Sequence, residues 1–215
     1  NITPDVAIVD PALAETMPKK LTAHTGMDAM THAIEAYVST LNCEYTDPLA
    51  LHAIEMINEY LIPSYNGDME ARDKMHDAQC LAGMAFSNAL LGIVHSMAHS
   101  LGAVYDTPHG VANAILLPTI MEYNAPCTGD KYKYIAKAMG VEGAENMTQE
   151  EYRKAAVDAV KKLSADVGIP ADLKEILKPE DVDFLSQSAM DDACRPGNPK
   201  DPSFEDIKNL YLSLI

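Results

Sequence analysis

The chain has 215 residues, which is enough for one domain with a sizeable core, and its formal net charge is −16. This acidic balance lacks the clustered lysines and arginines that binding to a phosphate backbone requires, so we expect no nucleic-acid partner. No apolar run is long enough to span a bilayer, so we expect no membrane partner either. The four cysteines include no C-x-x-C pair and are predicted to be inert thiols of a cytoplasmic protein.

The first predicted element is a strand over residues 6–9. The β-branched run Val6–Val9 is bounded by Pro4-Asp5 and Asp10-Pro11, a pattern typical of a short strand. A single strand cannot satisfy its own backbone hydrogen bonds, so we expect its partner strand to lie outside this sequence.

After Pro18, apolar residues recur at helical spacing almost throughout the chain. Thr46-Asp47-Pro48 is a typical helix start, and Thr148 with Glu151 three residues later predicts a capping box. Helices are predicted over residues 21–40, 46–62, 69–90, 111–121 (interrupted near Pro118), 131–139, 148–167, 179–194 and 203–214, with a further helix inside the stretch 92–110. Together these elements predict one all-α domain with a strand at its N-terminal edge.

The stretch Gly92–Gly110 contains three of the seven histidines and is the first place to look for chemistry. His95 and His99 are four residues apart on a predicted helix, so both rings project from one face. His109 lies in a turn-like Pro-His-Gly setting. Spacing therefore favours His95 and His99 as a pair of ligands, but it does not decide which of the three histidines bind a metal.

A second pair at the same spacing, Asp28 and His32, lies beside the apolar stripe of the helix over residues 21–40. A buried carboxylate and a buried imidazole are costly unless both find partners. A shared ion would satisfy them, and one or two histidines of Gly92–Gly110 would complete a four-ligand site suited to Fe(II) or Zn(II). The simpler alternative is a non-catalytic helical module in which these histidines are core or surface residues.

The other histidines carry weaker signals. His24 has no spaced partner and His52 lies on the polar side of its helix, so both are expected to be exposed. The adjacent pair His76-Asp77 is the mark of the all-α HD phosphohydrolases, and a hydrolase of that type is kept as an alternative. No G-x-G-x-x-G, G-x-x-x-x-G-K-[ST], G-x-S-x-G or H-E-x-x-H motif occurs, so no nucleotide cradle or nucleophile elbow is predicted within this sequence.

Two long motifs carry a resemblance to a known family. Gly26-Met-Asp-Ala-Met-Thr-His-Ala-Ile-Glu-Ala-Tyr-Val-Ser39 and the run from Gly92-Ile-Val-His95 to Leu117-Pro118 closely resemble the iron-containing (group III) alcohol dehydrogenases. The resemblance implies an N-terminal α/β domain that binds NAD(P), followed by an all-α metal-binding domain of the dehydroquinate-synthase-like fold. Residues 1–20 would then be the end of the α/β domain or a linker, and residues 21–215 the all-α domain.

The resemblance also implies roles for the site residues, and it assigns them differently from spacing. It implies Asp28, His32, His95 and His109 as metal ligands, and His99 as a catalytic histidine that points toward the substrate and the nicotinamide. The implied reaction interconverts alcohols and aldehydes or ketones by hydride transfer with NAD(P), while Fe(II), or alternatively Zn(II), polarises the substrate oxygen. Further expectations are a small alcohol or aldehyde substrate, a homo-oligomeric assembly, and no activity of this chain on its own.

Overall fold

The structure, a computed structural model, describes residues 4–215, and within that range it is helical and contains no strand. The α-helices, in chain order, are α1 (Lys19–Val38), α2 (Thr46–Tyr65), α3 (Met69–Ala89), α4 (Ile93–Tyr105), α5 (His109–Asn124), α6 (Lys131–Ala138), α7 (Gln149–Asp166), α8 (Val182–Met190) and α9 (Phe204–Leu212). Loops and single turns of 3-10 helix join them, the longest connection being residues 167–181 between α7 and α8. The predicted all-α fold is therefore confirmed.

The strand predicted over residues 6–9 is not formed. These residues adopt no regular structure, and the side chains of Val6 and Ile8 are 79% and 87% exposed. A strand is held by hydrogen bonds to a neighbouring strand, and no other described segment of the chain provides one. The local β propensity of this run was therefore not sufficient to specify a strand.

Most helix boundaries fall close to their predicted positions, and the Thr148–Glu151 capping box opens α7 as predicted. The interruption predicted near Pro118 is wrong, because α5 runs through this proline without a break. A proline inside a helix removes one backbone hydrogen bond. The residues around it, from Gly110 to Met121, are almost all buried, so packing against the neighbouring helices holds α5 helical despite that loss.

Three helices meet at the centre of the molecule, where α5 packs against both α1 and α4. The approach of α5 to α1 depends on Gly110, because a Cβ atom there would lie 2.1 Å from the backbone oxygen of His24. Gly110 thus lets the first turn of α5 lie directly against α1. Within the described residues no single helix is long and apolar enough to cross a membrane, although α3 and α4 together, bent by 105°, meet that length and composition.

Candidate metal centre

Four side chains from these three helices converge on one point. Asp28 and His32 come from α1, His95 from α4 and His109 from α5, and one ligand atom from each lies within 4.8 Å of all the others. The Asp28 carboxylate is 3.5 Å from Nε2 of His109, 3.8 Å from Nε2 of His95 and 4.0 Å from Nε2 of His32. Ligand atoms around a four-coordinate ion with bonds of about 2.1 Å lie roughly 3.4 Å apart, so these three distances from Asp28 are only slightly longer than a bound ion requires.

Asn113, one turn after His109 on α5, reaches the same point. Its Nδ2 lies 2.6 Å from Asp28 Oδ1, 3.0 Å from His109 Nε2 and 3.1 Å from His95 Nε2. An amide nitrogen carries two hydrogens and cannot satisfy three acceptors, while its Oδ1 finds no partner among the described residues. The centre therefore holds more lone pairs than protein donors, and such a set of one oxygen and three nitrogens fits Fe(II) or Zn(II).

His95 is the most deeply buried of the four, and a carboxylate behind it fixes its orientation. Nδ1 of His95 lies 2.5 Å from Oε2 of Glu35, and the two side chains are only 1% and 4% exposed. Nδ1 thus faces a group that accepts hydrogen bonds, and Nε2 faces Asp28 on the other side of the ring. Glu35 received no role from the sequence, although its position three residues after His32 places it on the same side of α1.

Burial favours the neutral form of two of these rings. It lowers the pKa of His32 to about 4, against the opposing effect of the Asp28 charge. Burial also lowers the pKa of His109 below its ordinary value. His32 is further held between two rings, stacked on Phe86 with ring centroids 4.5 Å apart and on His95 at 4.7 Å. Near neutral pH both imidazoles are therefore neutral and offer lone pairs to a cation.

His99 lies beside this group and is not part of it. Its Nδ1 is 2.8 Å from Oδ2 of Asp192, and the ring is 43% exposed. Burial alone would raise the pKa of Asp192, but hydrogen bonds from the Cys194 backbone N–H and from His99 outweigh it and lower this pKa below its ordinary value. The pairing of His95 with His99 that spacing favoured does not occur, because His95 turns into the core while His99 is drawn toward Asp192, beyond α8.

The remaining histidines lie outside the cluster. His52 is exposed and pairs with Glu55 at 3.3 Å, as its polar setting predicted, whereas His24 is half-buried rather than exposed. His76 lines a cavity of about 390 Å³ that also reaches Asp28 and His32. Among the described residues, neither His76 nor its exposed neighbour Asp77 joins a group of ligand-type side chains, so the geometry gives the HD-type alternative no support.

Comparison with known proteins gives consistent matches over nearly the whole chain. The family described as Fe-containing alcohol dehydrogenase family, C-terminal, matches residues 22–215. NADPH-dependent butanol dehydrogenase of Clostridium saccharobutylicum is 55% identical over 98% of this chain and 55% of its own length. Lactaldehyde reductase of Escherichia coli K12 is 51% identical over 97% of this chain and 54% of its own.

Solved structures agree with these sequence matches. An alcohol dehydrogenase from Oenococcus oeni superposes with a TM-score of 0.93 at 41% identity, covering 96% of this chain and 54% of that one. A 1,3-propanediol oxidoreductase superposes equally well, with a TM-score of 0.93 at 40% identity over 96% of this chain and 55% of that one. The chain spans about half the length of the relatives it matches.

Proposed function

The chain belongs to the iron-containing alcohol dehydrogenase family, and from that premise we propose that it is the metal-bearing part of an oxidoreductase acting on small alcohols and aldehydes. The observation that carries the proposal is the convergence of Asp28, His32, His95 and His109 from three helices. In the proposed reaction an alcohol loses a hydride to NAD(P)⁺ and its hydroxyl proton to a base, giving an aldehyde or ketone. The reverse reaction reduces the carbonyl compound.

The four converging side chains are the proposed ligands of the metal, which we expect to be Fe(II), with Zn(II) compatible with the same donors. When bound, such an ion supplies Lewis acidity that lowers the pKa of the alcohol oxygen. The protein contributes a preformed set of neutral imidazoles and one carboxylate. A cavity of about 390 Å³, lined in part by Asp28 and His32, lies beside this set and has the size of a small-molecule site. A small alcohol or aldehyde is proposed as the substrate from the relatives.

His99 is the proposed catalytic residue. Its Nδ1–H donates to Asp192, which leaves the Nε2 lone pair free to accept the hydroxyl proton of the alcohol. Because the ring is 43% exposed, a proton received there can pass on to water. Asp192 keeps the ring in the tautomer that this transfer needs.

The rest of the proposed enzyme follows from its relatives. We propose that residues 21–215 form the metal-binding domain, that residues 1–20 are the end of an α/β domain or a linker, and that NAD(P) is bound by that α/β domain. The present chain is then expected to bind metal without turnover. A homo-oligomer located in the cytoplasm completes the proposal.

Metal analysis of the purified chain tests the central claim. After anaerobic reconstitution with Fe(II), we expect one ion per chain in wild type and His52→Ala, and none in Asp28→Ala, whose carboxylate all three ligand histidines face. The His52 variant is the matched control, because it removes an imidazole that lies on the surface. Equal metal contents in wild type and Asp28→Ala would overturn the ligand assignment.

Turnover tests the second claim. In the full-length protein we expect NAD(P)-linked alcohol oxidation to fall by roughly 100-fold in His99→Ala while the metal content stays at one ion per chain. A His99→Ala variant that retains wild-type turnover would remove His99 from the mechanism and leave the metal site untouched.

A further inference from the structure

Helix α4, which carries His95, begins without a cap of its own. Its N-cap residue is Gly92, which has no side chain, and the first two helical residues, Ile93 and Val94, are almost completely buried. The N–H groups of a first helical turn have no partner inside the helix, and buried N–H groups need one. The partners must therefore come from elsewhere in the fold.

Two side chains from distant parts of the sequence provide this cap. Oε1 of Glu35, on α1, accepts from the N–H of Val94 at 2.8 Å. Oδ1 of Asn198 accepts from the N–H of Ile93 at 3.3 Å. Gly92 is what makes room for them, since a Cβ atom there would lie 2.8 Å from each of these two oxygens. A carboxylate at this position also complements the positive end of the helix dipole.

Glu35 makes a second contact that Asn198 does not make. Its other oxygen, Oε2, lies 2.5 Å from Nδ1 of His95, the residue that follows Val94. One buried carboxylate thus fixes both the start of α4 and the ring that this helix presents to the metal. Because Glu35 lies on the same helix as Asp28 and His32, α1 supplies two of the ligands and orients a third.

We propose that Glu35 is a positioning residue of the metal centre, holding His95 as the Nδ1–H tautomer with the Nε2 lone pair toward the ion. The inference rests on the proposed function, because it assumes that His95 binds metal. Carboxylates that orient a ligating histidine typically contribute 10- to 100-fold to metal affinity. Glutamine has the shape of glutamate but only one acceptor oxygen. It cannot accept from both the N–H of Val94 and Nδ1 of His95, so in Glu35→Gln the tautomer of His95 is no longer fixed.

The test compares metal affinity in variants that separate capping from orientation. We expect Glu35→Gln to bind Zn(II) about 10- to 100-fold more weakly than wild type in competition with a chromophoric chelator. Asn198→Ala removes a cap and the hydrogen bonds of Asn198 to Asn124 and Lys200, but no contact to His95. It should bind metal within about threefold of wild type while unfolding at a lower urea concentration. Circular dichroism checks that each variant is folded. Equal affinity in wild type and Glu35→Gln, or equal losses in both variants, would overturn the inference.

A measurement on the metal-free wild-type chain keeps the inference testable even if a variant fails to fold. Nitrogen-15 NMR of the histidine rings should show His95 protonated at Nδ1 and unprotonated at Nε2. The opposite tautomer would refute the role of Glu35. Absence of Zn(II) and Fe(II) binding by wild type would instead refute the proposed function, while the tautomer of His95 would still decide whether Glu35 orients it.

Discussion

The candidate metal centre has two sides that are built differently. The inner wall, formed by Glu35, His95 and Asn198, lies in the core, where Glu35 and His95 are 4% and 1% exposed and Asn198 is also buried. The open side, formed by His99, His109 and Asp192, faces outward, with both imidazoles 43% exposed. The difference separates a side that fixes the orientation of a proposed ligand from a side where the proposed catalytic histidine faces outward. We therefore expect side-chain replacements in the inner wall to lower the free energy of unfolding more than replacements on the open side.

The largest expected effect separates His95 from His109, two of the proposed ligands. His95→Ala leaves one oxygen of the buried Glu35 carboxylate without its hydrogen-bond donor, and losing the partner of a buried charged group lowers the free energy of unfolding by about 3 kcal/mol. His109→Ala removes a half-exposed ring and should cost less than about 1 kcal/mol. Urea unfolding of the two metal-free variants measures both values. Similar losses in the two variants would contradict the division into an inner wall and an open side.

Metal binding should stabilise the chain through proposed ligands on both the inner wall and the open side. At a free ion concentration of 100 times the dissociation constant, the free energy of unfolding of wild type should rise by about 2.7 kcal/mol. His99→Ala should keep this gain and His109→Ala should lose it, although the two rings are equally exposed. Thermal or urea unfolding with and without a chelator gives the comparison. A gain that survives in His109→Ala would show that this histidine is not a ligand.

Adding one methyl group at Gly92 is a test of how tightly the inner wall is packed. In Gly92→Ala the new Cβ meets oxygens of Glu35 and Asn198 at 2.8 Å, and relieving this overlap should cost about 1–3 kcal/mol of stability. Gly83→Ala is the matched control, because a Cβ atom in this α3 position has nothing within 4 Å and should stabilise the helix by about 0.5–1 kcal/mol. Urea unfolding of the two variants is expected to give opposite signs.

The same division explains which site residues could be found from the sequence. Asp28 with His32 stood out because a local spacing of four residues places both on one helical face. Glu35 and Asn113 also lie one helical turn from His32 and His109, but the contacts that give them a role reach residues 60 and 85 positions away in the chain. Local spacing contains no information about such contacts, and only the resemblance to a family separated His99 from the ligand set.

The helices were largely predictable because they, too, are specified by local patterns in the sequence. Apolar periodicity and capping patterns are local, so α3 and α7 begin and end within a few residues of their predicted bounds. The two errors occurred where the surroundings decide the structure. Pro118 was expected to interrupt a helix that packing holds intact, and residues 6–9 were expected to form a strand that has no neighbour among the described residues.

The smallest expected effect concerns the open side and depends on pH. In Asp192→Asn the amide can still accept from the N–H of Cys194 but no longer provides a charged acceptor for His99, so stability should fall by about 0.5–1.5 kcal/mol at pH 7. The native pKa of Asp192 lies below its unfolded value, so between the two values the unfolded chain binds more protons and stability rises with pH. The advantage of wild type should therefore be complete above about pH 5 and disappear as the pH falls through the native pKa. Urea unfolding of both proteins from pH 7 down to pH 3 measures this difference, and a gap independent of pH would show that the Asp192 charge does not hold His99.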